Sequence, residues 1–286
     1  MKYLGRDKAI KTTISGLKLG HESGQLTVVD ADQQPYLTDG NRIVVGRSLE
    51  NSELMDLVVE KGVRHVVQMP NQDFARQVCF TANILTNPEK FFEDPRHYLT
   101  GMGHQSLLEG DIGLFHYPLA SPMTGKETLL DRIHADLNKI PRSNTIRDSA
   151  LLVADEMIMN VTKDAPLYFA QNFPDAPKRD RSSSLYIAFD QDRLLLWTED
   201  DFGSLAVDKM IARLRDCYAA EQINPLMAEG QGAGLGCKMI FDMSVSMSVL
   251  VKPGVKTVFC AVLPLGMSNR KIQGLPKNLQ ILALTF

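Results

Sequence analysis

The 286-residue chain has four cysteines, one tryptophan and no long apolar run, and each scarcity removes a class of function. Cys79, Cys217, Cys237 and Cys260 show neither Cys-Xaa-Xaa-Cys spacing nor nearby histidine pairing, which argues against zinc and dithiol redox motifs and suits isolated thiols in a reducing compartment. No stretch approaches the ~18 apolar residues of a membrane span, and the segment after Met1 lacks a signal-type apolar core, so a cytoplasmic location without a membrane partner is expected. Positive charge is not in excess: 31 basic residues face 34 acidic ones, and the basic residues are scattered. That leaves no electrostatic footprint for nucleic acid. His97, His104 and His116 lie close in sequence, but their irregular spacing carries no carboxylate or cysteine pattern that would make a metal site. Repeats and low-complexity segments are missing too.

What is present is ordinary globular composition, 44% hydrophobic and 23% charged, with enough length for two modest domains. Strands at Leu26 to Val29, Ile43 to Val45 and His65 to Met69, with a helix from Leu49 to Lys61 before the last, predict a small N-terminal α/β domain over residues 1–110. From Thr86 to Gly113 periodicity is lost among Pro, Gly, Asp and His, which predicts a connection with a boundary near Asp111. Beyond it, a strand from Gly113 to Leu119 precedes helices at Lys126 to Lys139 and at about Thr145 to Lys163. Pro166 is expected to stop the second helix. A hairpin follows, Leu185 to Phe189 and Leu194 to Trp197, then a helical stripe from Val207 to Tyr218. Strands at Ser246 to Val251 and Thr257 to Leu263 close a domain over residues 111–266, leaving 267–286 as a tail.

The run Gly232-Ala233-Gly234-Leu235-Gly236 opens a helix continuing through Phe241. Glycines allow backbone dihedrals that a Cβ forbids and let amides approach an anion, as in phosphate sites, although glycine clusters also make plain turns. It is not a Walker A loop, since Lys238 lies between Cys237 and Met239, and its spacing is not that of a dinucleotide fold. On the second helix, Glu156 and Asn160 stand four residues apart, one turn above the other, with Lys163 close to that face. A carboxylate, an amide oxygen and a cation so placed could take a proton, coordinate Mg²⁺ and neutralise a phosphate. The same spacing fits a solvated helix face, but Leu151, Leu152, Val153, Met157, Ile158 and Val161 make this helix apolar around much of its circumference and favour a cavity.

The ordered set of segments resembles the GHKL ATPase superfamily of gyrase, heat-shock chaperones, histidine kinases and mismatch-repair proteins. Glu156 through Lys163 is similar to the family's N box, whose Asn binds Mg²⁺ and whose Glu, where present, is the general base. Asp201-Phe202-Gly203 resembles the first glycine box, in which the Asp recognises the adenine amino group. Gly232, Gly234, Leu235 and Gly236 resemble the second glycine box at the hinge of the ATP lid, and Thr257 the threonine that joins the Asp in holding adenine. The resemblance covers roughly Gly113 to Leu265. It implies an α/β chain whose C-terminal part is a two-layer α/β sandwich of the GHKL (Bergerat) type, with ATP and Mg²⁺ as ligands. Asn160 would be the metal ligand, and Ala206 to Glu229 would form a lid offering Lys209, Arg213 and Arg215. The chain departs from the family at Leu205, where the first glycine box usually carries a second glycine. The loop from Pro166 to Ser183 is long for its place, and the region before Asp111 matches nothing in the family.

Within the superfamily the compact arrangement looks most like the anti-sigma-factor serine kinases. That implies signal transduction by transfer of the γ-phosphoryl group to Ser or Thr of a protein partner, a regulator or anti-anti-sigma-like substrate, with Glu156 as base. A homodimer is compatible with this reading. An alternative is a non-catalytic module whose lid closes on ATP to expose or hide a binding surface. A histidine kinase ranks third, because His134 is followed by Pro141 and no dimerising helical hairpin is apparent.

Overall fold

Two different strand-building rules meet in one sheet in the computed structural model, which describes residues 1–17, 26–31, 42–69, 73–120, 123–177, 180–223 and 235–284. The first four strands, β1 (Lys2–Leu4), β2 (Thr27–Asp30), β3 (Arg42–Arg47) and β4 (His65–Met69), run parallel in sequence order. The later strands β5 (Gly113–Leu119), β6 (Ser183–Phe189), β7 (Arg193–Asp200), β8 (Ser246–Lys252) and β9 (Lys256–Pro264) pair antiparallel, β5 with β6, β6 with β7, and β9 with both β7 and β8. The last strand, β10 (Asn278–Ala283), lies parallel to β8 and antiparallel to β4. The result is a ten-stranded mixed sheet in the order β1-β2-β3-β4-β10-β8-β9-β7-β6-β5. The α/β class therefore stands. The residues expected as a tail place a strand in the middle of the sheet, where it joins the N-terminal strands to the others.

Polar side chains at that junction bond mostly to one another, although Asn278 Nδ2 is buried without a partner among the described residues. Gln68 donates its amide to Lys277 O and its backbone N–H to Asn278 Oδ1, each at 2.8 Å, and accepts from Leu49 N. Ser248 donates to Gln280 Oε1, Gln280 Nε2 donates to Gln77 Oε1, and the single Ser246 hydroxyl hydrogen is shared between Gln77 Oε1 at 3.1 Å and Gln280 Oε1 at 3.2 Å. Gln77 belongs to α3 (Phe74–Thr86), so this helix sits on the sheet face to which Ser246 and Gln280 point.

Where two layers were expected, the sheet carries packed segments on both faces. Residues 86–109 form α4 (Pro88–Glu93), a π-type turn at His97–Gly101 and a 3₁₀ turn at Gly103–Gln105. Phe91, Phe92, Tyr98, Leu99, Leu107 and Leu108 are buried in the same core as Trp197 and Cys260. Short turns with different hydrogen-bond spacings have no shared period, so this packed segment reads in sequence as a loop. The other face of β6 to β9 is covered by α6 (Arg147–Met159) and α9 (Leu235–Met243), with α5 (Lys126–Leu137) packed against α6.

Two more helices complete the surroundings of the site. After α6 a π-type turn, Asn160–Asp164, leads into α7 (Ala165–Asn172). Pro166 therefore does not end the helical path as expected. The Ala165 N–H reaches back to Asn160 O, an i−5 bond, and Pro166 falls in the first turn of α7, where a missing N–H costs no intrahelical bond. The helix α8 (Val207–Ile223) packs against α2 (Asn51–Lys61) and α9. No described helix is long and apolar enough to cross a membrane.

Candidate functional site

Alternate residues of a strand share a face, and at the ends of β7 and β9 that rule puts Thr198, Asp200, Thr257 and Phe259 side by side on the floor of a cavity of about 760 Å³. Its walls come from α6 and its π-type extension, from α7, and from the facing sides of α8 and α9. Glu156, Asn160 and Asp164 project from the first wall, Lys209 and Arg213 from α8, and Leu235, Gly236 and Lys238 from α9.

Asp200 is 3% exposed, and its Oδ1 accepts from the backbone N–H of Phe202 at 2.9 Å and of Gly203 at 3.1 Å. Burial pushes its carboxyl up to about 6, against the lowering by those amides and by the Thr257 hydroxyl beside it. Thr257 is directly opposite Asp200 across the ladder, near enough to act on its charge. Its Oγ1 is nevertheless buried in hydrogen-bonding geometry with no group of the protein.

Asp201, the residue expected to meet the adenine, does not line the cavity. Its carboxylate accepts from the Ser182 hydroxyl at 2.6 Å and from the Ser182 N–H at 3.2 Å. Arg181 donates to its carbonyl and lies over the Phe169 ring at 3.7 Å. Successive strand residues point to opposite sides, so only one of two adjacent aspartates can face the floor. The structure puts Asp200 there. The signal was present in the Leu194, Leu196, Thr198, Asp200 spacing, but Leu195 and Trp197 are equally buried, so no polar alternation marked the inner face.

Gly203 has φ 57°, and a Cβ there would run into Lys252 O, Val255 N and Lys256 N. It lets the chain leave β7 directly beneath the β8–β9 turn, a packing role outside the cavity. Ser204 and Leu205 do line the cavity, Ser204 donating to Ala165 O at 2.8 Å.

Glu156 and Asn160 both face the cavity as expected. The carboxyl of Glu156 is raised above its ordinary range by burial, then by Asp164 and Asp155, with Lys126 opposing. Lys126 is held at 2.5 Å from Asp155. Lys163 is exposed and does not line the cavity, because the wider π-type turn changes the rotation of the chain past Asn160. Gly232 and Gly234 lie outside the described residues. Leu235 and Gly236 open α9, and Gly236 is where the Glu156 carboxylate rests: a Cβ would overlap Oε1 and Cδ and stand 2.7 Å from Oε2. Of the three cations expected on a lid, Lys209 and Arg213 line the cavity, one helical turn apart, while Arg215 pairs with Asp216 at 3.0 Å, and residues 224–229 of that expected lid lie outside the described residues. His134 is on α5, outside the cavity.

Among the described residues, no group of three or more His, Cys, Asp or Glu is placed to hold a metal ion by itself. Comparisons of the sequence with protein-family models and with curated proteins find no match.

Proposed function

We propose that the cavity binds Mg-ATP in the manner of the GHKL superfamily and that the protein transfers the γ-phosphoryl group to a Ser or Thr hydroxyl of a protein partner. The observation that carries this reading is the pairing of Asp200 with the orphaned Thr257 hydroxyl on the cavity floor, opposite Glu156 and Asn160. An exocyclic amine offers a hydrogen to a carboxylate, and an adjacent ring nitrogen accepts one from a hydroxyl, so the pair suits adenine. The cavity is within the size range of small-molecule sites.

The remaining groups supply the other end of such a ligand. Lys209 and Arg213 offset phosphate charge from α8. The Asn160 amide oxygen is a hard donor, and Mg²⁺ commonly takes one or two protein oxygens with the rest from phosphates and water, so Asn160 could hold this ion together with the phosphates. When bound, the ion would offset charge on the phosphates. Glu156, its carboxyl raised by burial, would accept the proton of the attacking hydroxyl.

A second reading, ATP binding without turnover, is favoured by Leu205, which lines the cavity where the family usually has glycine. Calorimetric titration with Mg-ATP tests both. Asp200→Asn is expected to weaken binding by about tenfold or more, the worth of a hydrogen bond to a charged group. Asp201→Asn should leave it within about twofold. Glu156→Ala should retain binding and lose turnover. Equal effects of the two aspartate changes, or no binding by the native chain, would overturn the adenine site.

A further inference from the structure

We infer that Lys238 is an anion-binding residue whose charge is held in reserve, and that its release couples the cavity to the N-terminal α/β region. This rests on the cavity's being a polyphosphate site. Lys238 lines the cavity from the first turns of α9, and its Nζ lies 2.6 Å from Asp242 Oδ2, one turn further along. Both side chains are largely buried, with 14% and 21% exposure. The other oxygen of Asp242, Oδ1, accepts from Tyr218 Oη at 2.5 Å, and the Lys238 ammonium stands 4.9 Å from the centre of the Tyr218 ring. Tyr218 belongs to α8, the same helix that brings Lys209 and Arg213 to the cavity. On its far side the Tyr218 hydroxyl takes a hydrogen from Asn51 Nδ2 at 3.4 Å, at the start of α2. Asp208, at the other end of α8, is 2.8 Å from Arg64.

Contacts run from the cavity to the N-terminal region through Lys238, Asp242, Tyr218 and Asn51. A phosphate competing for Lys238 draws the ammonium from Asp242 and leaves that half-buried carboxylate with less counter-charge. Tyr218 then carries more of the burden of satisfying it, and the hydroxyl it shares with Asn51 is pulled toward α9. Binding in the cavity therefore changes how firmly α8 is held against α2. By linkage, whatever shifts α2 changes affinity by the same factor. Three residues on α8 and α9 thus do two jobs, and the packing of the N-terminal region on α8 becomes part of the binding equilibrium.

The test uses the full chain with three probes, Mg-ATP, adenosine and inorganic tripolyphosphate, each titrated by calorimetry. Lys238→Met is expected to lower affinity for ATP and tripolyphosphate by about tenfold or more while sparing adenosine, as for a lost charge-assisted bond. Asp242→Asn removes the competing charge and should tighten both phosphate ligands several-fold, a gain that no folding defect can imitate. Tyr218→Phe should weaken them, and combining it with Lys238→Met should add little. Hydrogen exchange at residues 51–61 should change when ATP is added to the native chain and stay unchanged in Tyr218→Phe. Tripolyphosphate binding that depends on Lys238 without any adenosine binding would retain the relay and remove the adenine reading. Phosphate affinity indifferent to Lys238 and Asp242, absence of binding by both phosphate ligands, or exchange at α2 that responds equally in Tyr218→Phe, overturns the relay.

Discussion

Replacing Gly236 by alanine should separate stability from turnover, because what a methyl group would meet is the end of a side chain. A Cβ at this position overlaps Oε1 and Cδ of Glu156 and lies 2.7 Å from Oε2. Ordinary contacts are about 3.5–4.0 Å, so the carboxylate must swing away by about 1–2 Å. The three closest atoms all belong to the flexible Glu156 side chain, so the backbone of α9 need not yield. Alanine is also the better helix former, by up to about 1 kcal/mol, and Gly236 lies within α9. The melting temperature should therefore hold or rise by a few degrees. Catalytic geometry is less forgiving, since about 1 Å of misplacement can cost on the order of 10²-fold in rate. ATP turnover should fall by about that factor, with ATP affinity within a few-fold of native. Native turnover would sink the assignment of Glu156. A loss of more than about 2 kcal/mol in stability would show that the backbone, rather than the carboxylate, gives way.

Three further outcomes follow from groups held in unusual states. Asp200, at about 6, accepts from an amine most strongly when ionised, so ATP affinity should fall by up to about tenfold between pH 7.5 and pH 5 by titration calorimetry. A flat profile would exclude Asp200 as the acceptor. His65 is wholly buried on β4 with Nδ1 unpaired, and burial, aided by Arg64, lowers it from 6.5 to about 3. Its folded value lies below its unfolded one, so stability is full above pH 6.5 and is lost as pH falls toward 3. The loss is about 1.4 kcal/mol per unit, or about 2 kcal/mol at pH 5 in urea unfolding, and His65→Leu should flatten that slope. Gly203→Ala meets backbone atoms at a φ of 57° and should cost about 2–4 kcal/mol in the same assay, in contrast to Gly236→Ala. A milder cost would mean that the β8–β9 turn can shift.

The legible parts of the fold were those where one rule governs the spacing. Strands β3, β4, β8 and β9 and helices α2 and α5 follow apolar runs or 3.6-residue stripes closed by turn residues, and the structure places them within a few residues of expectation. The helix α3 escaped because both its faces are occupied. Gln77 and Thr81 are as buried as Val78 and Phe80, so a polar residue at this site does not mark the outside. The strand β10 escaped for a related reason. Asn278 and Gln280 look like solvent-facing residues of a tail, yet each is fully buried and bonded to a neighbouring strand or helix. A buried polar network inverts the hydrophobic pattern on which sequence reading depends.

The cavity lining was legible along the helix and shifted by one residue on the strand, and the difference is geometric. On α6 the four-residue spacing of Glu156 and Asn160 fixes a shared face whatever surrounds the helix, and both residues reach the cavity. On β7, facing depends on parity, and parity can be read only if one side of the strand is wet. With α3 to residue 109 layered over one face and α6 and α9 over the other, Leu194 to Thr198 are buried without exception. Two aspartates in succession then offer no internal clue as to which turns inward. The ladder supplies it: Thr257 opposes Asp200, and the orphaned hydroxyl of the one and the buried carboxylate of the other make sense only together. The packed segments that hid the parity of β7 on one face belong to the region before Asp111. That region also packs α2 onto α8, the helix that brings Lys209 and Arg213 to the cavity.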